Sequence, residues 1–208
     1  GWQHIGGDAC AMILGDNLCH GSGFRPMLRE AIENAETRGR ATLFCHSVKD
    51  PERFGVVTLD PQGRAVDIEE KPARPRSRYA VTGLYFYPAG VAERAAAIRP
   101  SARGELEITD LSAGYLREGL LDVRVLGRGF TWMDVGTVES LADASNLVRT
   151  LSVRQGIAIS APEEIAFQNG WIDREKLLDA AARCGKSPYG IHLRAVAENK
   201  PQDEWQHR

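Results

Sequence analysis

The chain lacks any apolar run approaching the roughly 20 residues that a membrane-crossing helix needs, and no basic-then-apolar leader opens it. It also lacks a surplus of one charge sign. Its 26 Lys+Arg stand against 28 Asp+Glu, a formal net charge of -2. That balance disfavours nucleic acid or an anionic membrane as the main partner. Cysteine is scarce: Cys10, Cys19, Cys45 and Cys184 show no C-x-x-C spacing. A disulfide framework is thereby excluded, and a reducing cytoplasm is the expected setting. There is no internal repeat, no low-complexity stretch and no initiating methionine. The first residue is Gly1, and an apolar strand follows within a few residues, so the expectation is a chain that starts in the middle of a protein.

What is present suits one substantial α/β domain with a small helical appendage: 208 residues, 43% hydrophobic and 26% charged. Residues 9–14 form a continuous apolar run ended by Gly15-Asp16-Asn17, as in strands covered on both faces of a parallel sheet. The period turns helical over 23–38, with Phe24, Met27, Leu28, Ala31 and Ile32 on one face. Strands are predicted at 42–48, 54–59, 65–70, 79–87, 121–126 and 130–135, and helices at 90–98, 105–118 and 138–151. Asp60-Pro61-Gln62-Gly63 supplies the chemistry of a hairpin turn. This alternation predicts an α/β fold with a mostly parallel, Rossmann-like sheet and a hairpin insertion over residues 1–158. A helical tail over 159–208 follows, helical at 173–183 and near 191–197, with polar residues 201–208 at its end.

Two aspartates stand at the carboxyl ends of apolar strands, Asp16 after Ile13-Leu14 and Asp134 after Trp132-Met133. Ligands of open α/β sheets bind at such ends. Two monodentate carboxylates would leave a hard cation free positions for phosphate oxygens. Equally, Gly-Asp-Asn is common turn chemistry, and Asp134 could start the helix beyond Gly136-Thr137. Glu70-Lys71-Pro72 closes a strand, with Glu70 and Lys71 expected on opposite faces. A Glu can accept sugar hydroxyls and a Lys can face a phosphate, or both can be solvated surface charges. Gly83, alternating with Val81 and Tyr85, marks close approach by a ligand or backbone, or a bulge. Arg103 could meet a phosphate near a helix N-terminus or pair with Glu105 or Glu107. Three features read as decoys. Cys45 and His46 point to opposite strand faces, the arginines of 72–78 suit a solvated loop, and Gly21-Ser22-Gly23-Phe24-Arg25-Pro26 is one loose match to a phosphate loop.

In order along the chain, Leu14-Gly15-Asp16-Asn17, residues 50–57 (DPERFGVV), Glu69-Glu70-Lys71-Pro72, residues 79–87 (YAVTGLYFY), 100–110 (PSARGELEITD) and 127–137 (GRGFTWMDVGT) resemble successive motifs of the glucose-1-phosphate thymidylyltransferases. Arg154-Gln155-Gly156 and Pro162-Glu163-Glu164-Ile165-Ala166 extend the resemblance, which spans residues 5–197. It implies Mg²⁺ held by Asp16 and Asp134. It implies a hexose site made by Asn17, Gly55, Glu70, Val81, Gly83 and Tyr85, with Trp132 as a wall. Lys71 and Arg103 would be the catalytic cations that hold the sugar phosphate. The implied reaction joins dTTP and glucose 1-phosphate into dTDP-glucose and pyrophosphate, toward dTDP-rhamnose and polysaccharide. A cytoplasmic homotetramer is implied, with the tail in subunit contacts. The family's glycine-rich nucleotide loop, arginine and lysine have no counterpart here, so this chain is expected to be a C-terminal part that is inactive alone. A uridylyl- or other nucleotidylyltransferase, or a non-catalytic sugar-phosphate-binding fragment, stays open as an alternative.

Overall fold

In the computed structural model, which describes residues 5–155 and 158–199, the elements run β1 (Cys10–Ile13), β2 (Asn17–Gly21), α1 (Phe24–Thr37), β3 (Ala41–Ser47), β4 (Gly55–Leu59), β5 (Ala65–Glu70), β6 (Tyr79–Tyr87), α2 (Val91–Ala96), α3 (Ile108–Arg117), β7 (Leu121–Leu126), β8 (Phe130–Asp134), α4 (Val138–Gln155), α5 (Pro162–Gln168), α6 (Arg174–Cys184) and α7 (Pro188–Asn199). Gly156 of the Arg154-Gln155-Gly156 motif and the 201–208 tail lie outside the described residues. Among the described residues, no helix is long and apolar enough to cross a membrane.

Strand β6 organises the main sheet, whose order is β5-β4-β6-β3-β7 with β1 also on β6. Its first residues pair with β4 and its last four with β1, while β3 lies along it on the other side. Alternation sends successive side chains into different cores. Leu43, Val81, Tyr85 and Tyr87 pack with Leu111 and Tyr115 of α3, whereas Phe44, Leu84 and Phe86 pack with Ala31 and Ala35 of α1. Helices thus cover both faces, and β3 needs its unbroken apolar run because Leu43, Phe44 and Cys45 are all fully buried. The α/β architecture is the expected one, but the mostly parallel sheet is not found. Among the described residues only β3 and β7 pair in parallel, and every other pair is antiparallel. A continuous apolar run reports cover on both faces and carries no strand direction. Strand β1 departs further, because Met12, Ile13 and Leu14 are 36%, 68% and 41% exposed.

The hairpin of β4 and β5 closes as its turn residues dictate. Asp60 Oδ1 accepts from the backbone N–H of Gln62 and Arg64 at 3.0 and 2.8 Å, and Gly63 takes φ +79°. Strand β2 was not foreseen. It pairs antiparallel with β8 in a separate two-stranded sheet, Asn17 opposite Asp134 and Gly21 opposite Phe130.

The chain divides into two compact units at Ser140/Leu141, within α4 and ahead of the expected boundary at 158. In the second unit, Leu177, Ala180 and Ala181 of α6 pack with Leu193 and Ala197 of α7. Asp173 caps α6 by accepting from the Lys176 N–H at 2.9 Å. Leu178 packs against the same internal core. The large apolar side chains left exposed in this unit include Ile165, Trp171 and Ile191.

Candidate functional site

The pairing of β4 with β5 sets Gly55 opposite Glu70, and both sit beside Thr109 at the start of α3. An added Cβ at Gly55 would lie 3.0 Å from Thr109 Oγ1, 3.2 Å from Glu70 Oε2 and 3.6 Å from Val81 Cγ2. A side chain here would require its neighbours to give by a few tenths of an ångström. Thr109 donates its hydroxyl to Glu70 Oε2, and Arg103 lies 3.8 Å from Glu70 Oε1. Tyr85, on the same β6 face as Val81, has its hydroxyl pushed up to about 12 by burial and then by the Glu70 charge. The result is a tight cluster of one carboxylate, one hydroxyl and apolar side chains around Gly55.

Asp16 and Asp134 come together through the β2–β8 ribbon. Asp134 is the ladder partner of Asn17, and Val135 N–H donates to the Asp16 carbonyl at 2.8 Å. Burial and the neighbouring Asp16 charge raise the Asp134 carboxyl above its ordinary value, while Arg53 and Lys71 pull it back. A hard divalent cation fits such a pair. Among the described residues no cluster of three or more His, Cys, Asp or Glu forms, so protein ligands would be few and other oxygens would complete the shell, as Mg²⁺ prefers.

Asn17 and Trp132 join the two regions. Trp132 Nε1–H donates to Asn17 Oδ1 at 2.7 Å, and Asn17 Nδ2 donates to Asp16 Oδ1 at 2.8 Å. The Trp132 ring meets Phe54, the residue before Gly55, edge-on at 5.0 Å. Gly83 accommodates this arrangement with φ +61°, and a Cβ there would fall 2.9 Å from Leu14 Cδ1 and 3.0 Å from Asn17 Nδ2. The β3–β6 register also shifts across it, so both readings of this glycine, bulge and close approach, apply.

The cations sit around these groups. Lys71 does not continue the strand on the face opposite Glu70. Strand β5 ends at Glu70, and Lys71 turns out of the strand with φ +41°, in the left-handed region. Its charge acts on Asp134, and among the described residues it forms no ion pair. Arg103 pairs with Glu105 at 2.9 Å and Glu107 at 3.2 Å, besides Glu70. Glu107 is itself fixed by Ser101 at 2.9 Å. Arg53 lies over the Phe54 ring, 5.4 Å from its centroid, and pairs with Asp50 at 2.9 Å.

Thr109 and Arg53 escaped the sequence reading. Thr109 is 39 positions from Glu70, and only tertiary packing joins them. The decoys resolve simply. His46 bonds the Leu126 carbonyl at 2.9 Å and Cys45 is buried. Gly21 lies under the Phe130 ring, whose atoms would be 2.4–2.8 Å from a Cβ, and Gly23 leads into α1 with φ +78°. All four cysteines are free.

Against known proteins, the Nucleotidyl transferase family model matches residues 2–150. Glucose-1-phosphate thymidylyltransferase of Xanthomonas campestris pv. campestris is 50% identical over 198 residues, 95% of this chain and 66% of that protein. The enzyme of that name from Mycobacterium tuberculosis is 44% identical over 95% of this chain and 67% of its own length. The chain thus spans about two thirds of the length of the curated relatives it matches. A Bacillus anthracis structure described under the same activity, in complex with a sucrose, superposes with TM-score 0.62 at 40% identity, covering 71% of this chain and 57% of that one. A UDP-glucose pyrophosphorylase bound to UDP-glucose shares the fold at TM-score 0.61 and 22% identity, over 71% and 59% of the two chains. The chain belongs to the nucleotidyl transferase family, within its glucose-1-phosphate thymidylyltransferase group.

Proposed function

We propose that this chain carries the sugar-phosphate and metal site of an enzyme that joins dTTP and glucose 1-phosphate into dTDP-glucose and pyrophosphate. One observation carries the reading. The Gly55/Glu70/Thr109 cluster and the Asp16/Asp134 pair are linked through Phe54, Trp132 and Asn17, and Lys71, next to Glu70 in the chain, acts on Asp134. A hexose hydroxyl needs an acceptor such as Glu70, and the 1-phosphate needs cations such as Lys71 and Arg103. A phosphate oxygen of the sugar attacks the α-phosphorus of dTTP and pyrophosphate leaves. The attacking group is already an anion, so these residues act by in-line positioning and charge neutralisation rather than by taking a proton. Mg²⁺, held by Asp16 and Asp134, would offset negative charge on the reacting phosphates. Arg103, already shared among Glu70, Glu105 and Glu107, is preset in position and can turn a donor toward phosphate. Tyr85 and Val81 close the apolar side of the sugar site.

The setting is the reducing cytoplasm, in keeping with four unpaired thiols. The assembly is a homotetramer in which exposed Ile165, Trp171 and Ile191 provide apolar contact area. The product would serve dTDP-rhamnose and polysaccharide synthesis. The test is pyrophosphate release by the whole protein with Mg²⁺, glucose 1-phosphate and either dTTP or UTP. Turnover with dTTP, at least tenfold above UTP and abolished by Asp134→Ala, is expected. Preference for UTP would move the protein to uridylyl transfer, and no release with either would reject the reading.

A further inference from the structure

We propose that Asn17 and Trp132 are positioning residues for the metal-binding carboxylate Asp16, so that the wall of the sugar site and the cation site respond as one unit. The inference rests on the reading of Asp16 and Asp134 as a cation site.

Asp16 is exposed, and an exposed aspartate ordinarily samples several rotamers. Its one side-chain hydrogen bond among the described residues comes from Asn17 Nδ2, at 2.8 Å. An asparagine amide can flip, exchanging its donor and acceptor ends. Here it cannot do so without loss. Trp132 Nε1–H is a donor only, so at 2.7 Å it demands the oxygen of Asn17 and leaves the nitrogen facing Asp16. The indole is held in turn by the edge of Phe54 at 5.0 Å, and the absence of a side chain at Gly83 makes space for the Asn17 amide. The chain of contacts therefore selects one Asp16 orientation. It occupies Oδ1 with Asn17 and leaves Oδ2 for a cation, which favours monodentate binding. The second amide hydrogen of Asn17 stays available to a ligand oxygen. Displacing the Trp132 indole during sugar binding would release Asn17 and loosen Asp16.

Groups that orient metal ligands typically contribute about 10–100-fold to metal affinity. Mn²⁺ binding, read by electron paramagnetic resonance without substrates, tests the proposal on the unmodified protein, Trp132→Phe, Asn17→Ala, the double variant and Asp134→Ala. Trp132→Phe keeps the ring against Phe54 and removes only the N–H donor. Thermal unfolding checks that each variant is folded. The expected result is one Mn²⁺ lost in Asp134→Ala and weakened about tenfold in both single variants. The double variant should be no weaker than Asn17→Ala, because both substitutions cut the same chain. Unchanged Mn²⁺ affinity in Trp132→Phe, or fully additive losses, would overturn the positioning role while leaving the cation pair intact. An unmodified protein whose Mn²⁺ binding is indifferent to Asp134→Ala would overturn the cation pair, and the positioning role with it.

Discussion

Replacing Gly55 by alanine is expected to cost sugar-phosphate affinity far more than stability. The new methyl would stand 3.0 Å from Thr109 Oγ1, 3.2 Å from Glu70 Oε2 and 3.6 Å from Val81 Cγ2. Contacts that short require neighbours to shift by tenths of an ångström, and overpacking of a rigid core costs about 1–3 kcal/mol. Thr109 and Val81 are 5% and 7% exposed and cannot retreat, whereas Glu70 is only half-buried and can swing outward. Glu70 should yield, which holds the folding cost near ~1 kcal/mol, or about 2–4 °C in midpoint for a protein of this size. The same movement breaks the Thr109–Glu70 hydrogen bond and misplaces the acceptor for the hexose. Hydrogen bonds to charged groups contribute about 1.5–3 kcal/mol, so glucose 1-phosphate affinity should fall about 10–100-fold. Isothermal titration with glucose 1-phosphate, paired with a thermal melt, reads both quantities. A lowered melting point with unchanged affinity would refute the assignment of this cluster to the sugar.

Other perturbations have equally definite directions. Thr109→Val keeps the shape, removes the hydroxyl donated to Glu70, and should raise the KM for glucose 1-phosphate while leaving that for dTTP unchanged. Lys71→Ala should raise the glucose 1-phosphate KM about 10–100-fold, the loss of one charge-assisted contact, and equal losses for both substrates would reject its role. In the metal-free protein Asp134→Asn should raise the melting temperature at neutral pH. The folded-state carboxyl lies above its ordinary value, so its ionised form opposes folding at any pH above that value. Asp122 has the opposite sign: the Arg40 hydrogen bond lowers it, so its stabilisation is present above the ordinary value of 3.8 and lost as pH falls through the folded value. Acid titration of Asp122→Asn by circular dichroism should show a shallower decline than the parent below about pH 4.

Much of the fold was legible because alternation and helical period are local properties. Residues 79–87 announced a strand and 23–38 a helix, and both formed within a residue or two. Strand direction was not legible, since the strand predicted at 42–48 looks alike in parallel and antiparallel company. Strand β2 escaped because Asn17, His20 and Gly21 have little strand propensity; pairing with β8 imposes the conformation. At the site, Asp16, Glu70 and Asp134 were visible from their places after strands. Thr109 and the Trp132–Asn17 bond were not, as they join residues 39 and 115 positions apart. Lys71 was misplaced for a third reason, a positive φ in a residue with a side chain.

The ribbon of β2 and β8 has a consequence for how this protein breathes. The ladder has only two strands, packed on the core through Cys19 and Phe130, and the Asp16 and Asp134 carboxylates hang from one end of it, beside the Asn17–Asp134 pair. Fraying that end by a single step separates them together, so ligand capacity should switch off before the rest of the unit opens. A cation held by both carboxylates would, by linkage, act as a clasp on the ladder. Amide hydrogens of 17–21 and 130–135 should exchange fast in chelator and markedly slower with divalent cation, while those of β3 and β6 keep one rate throughout.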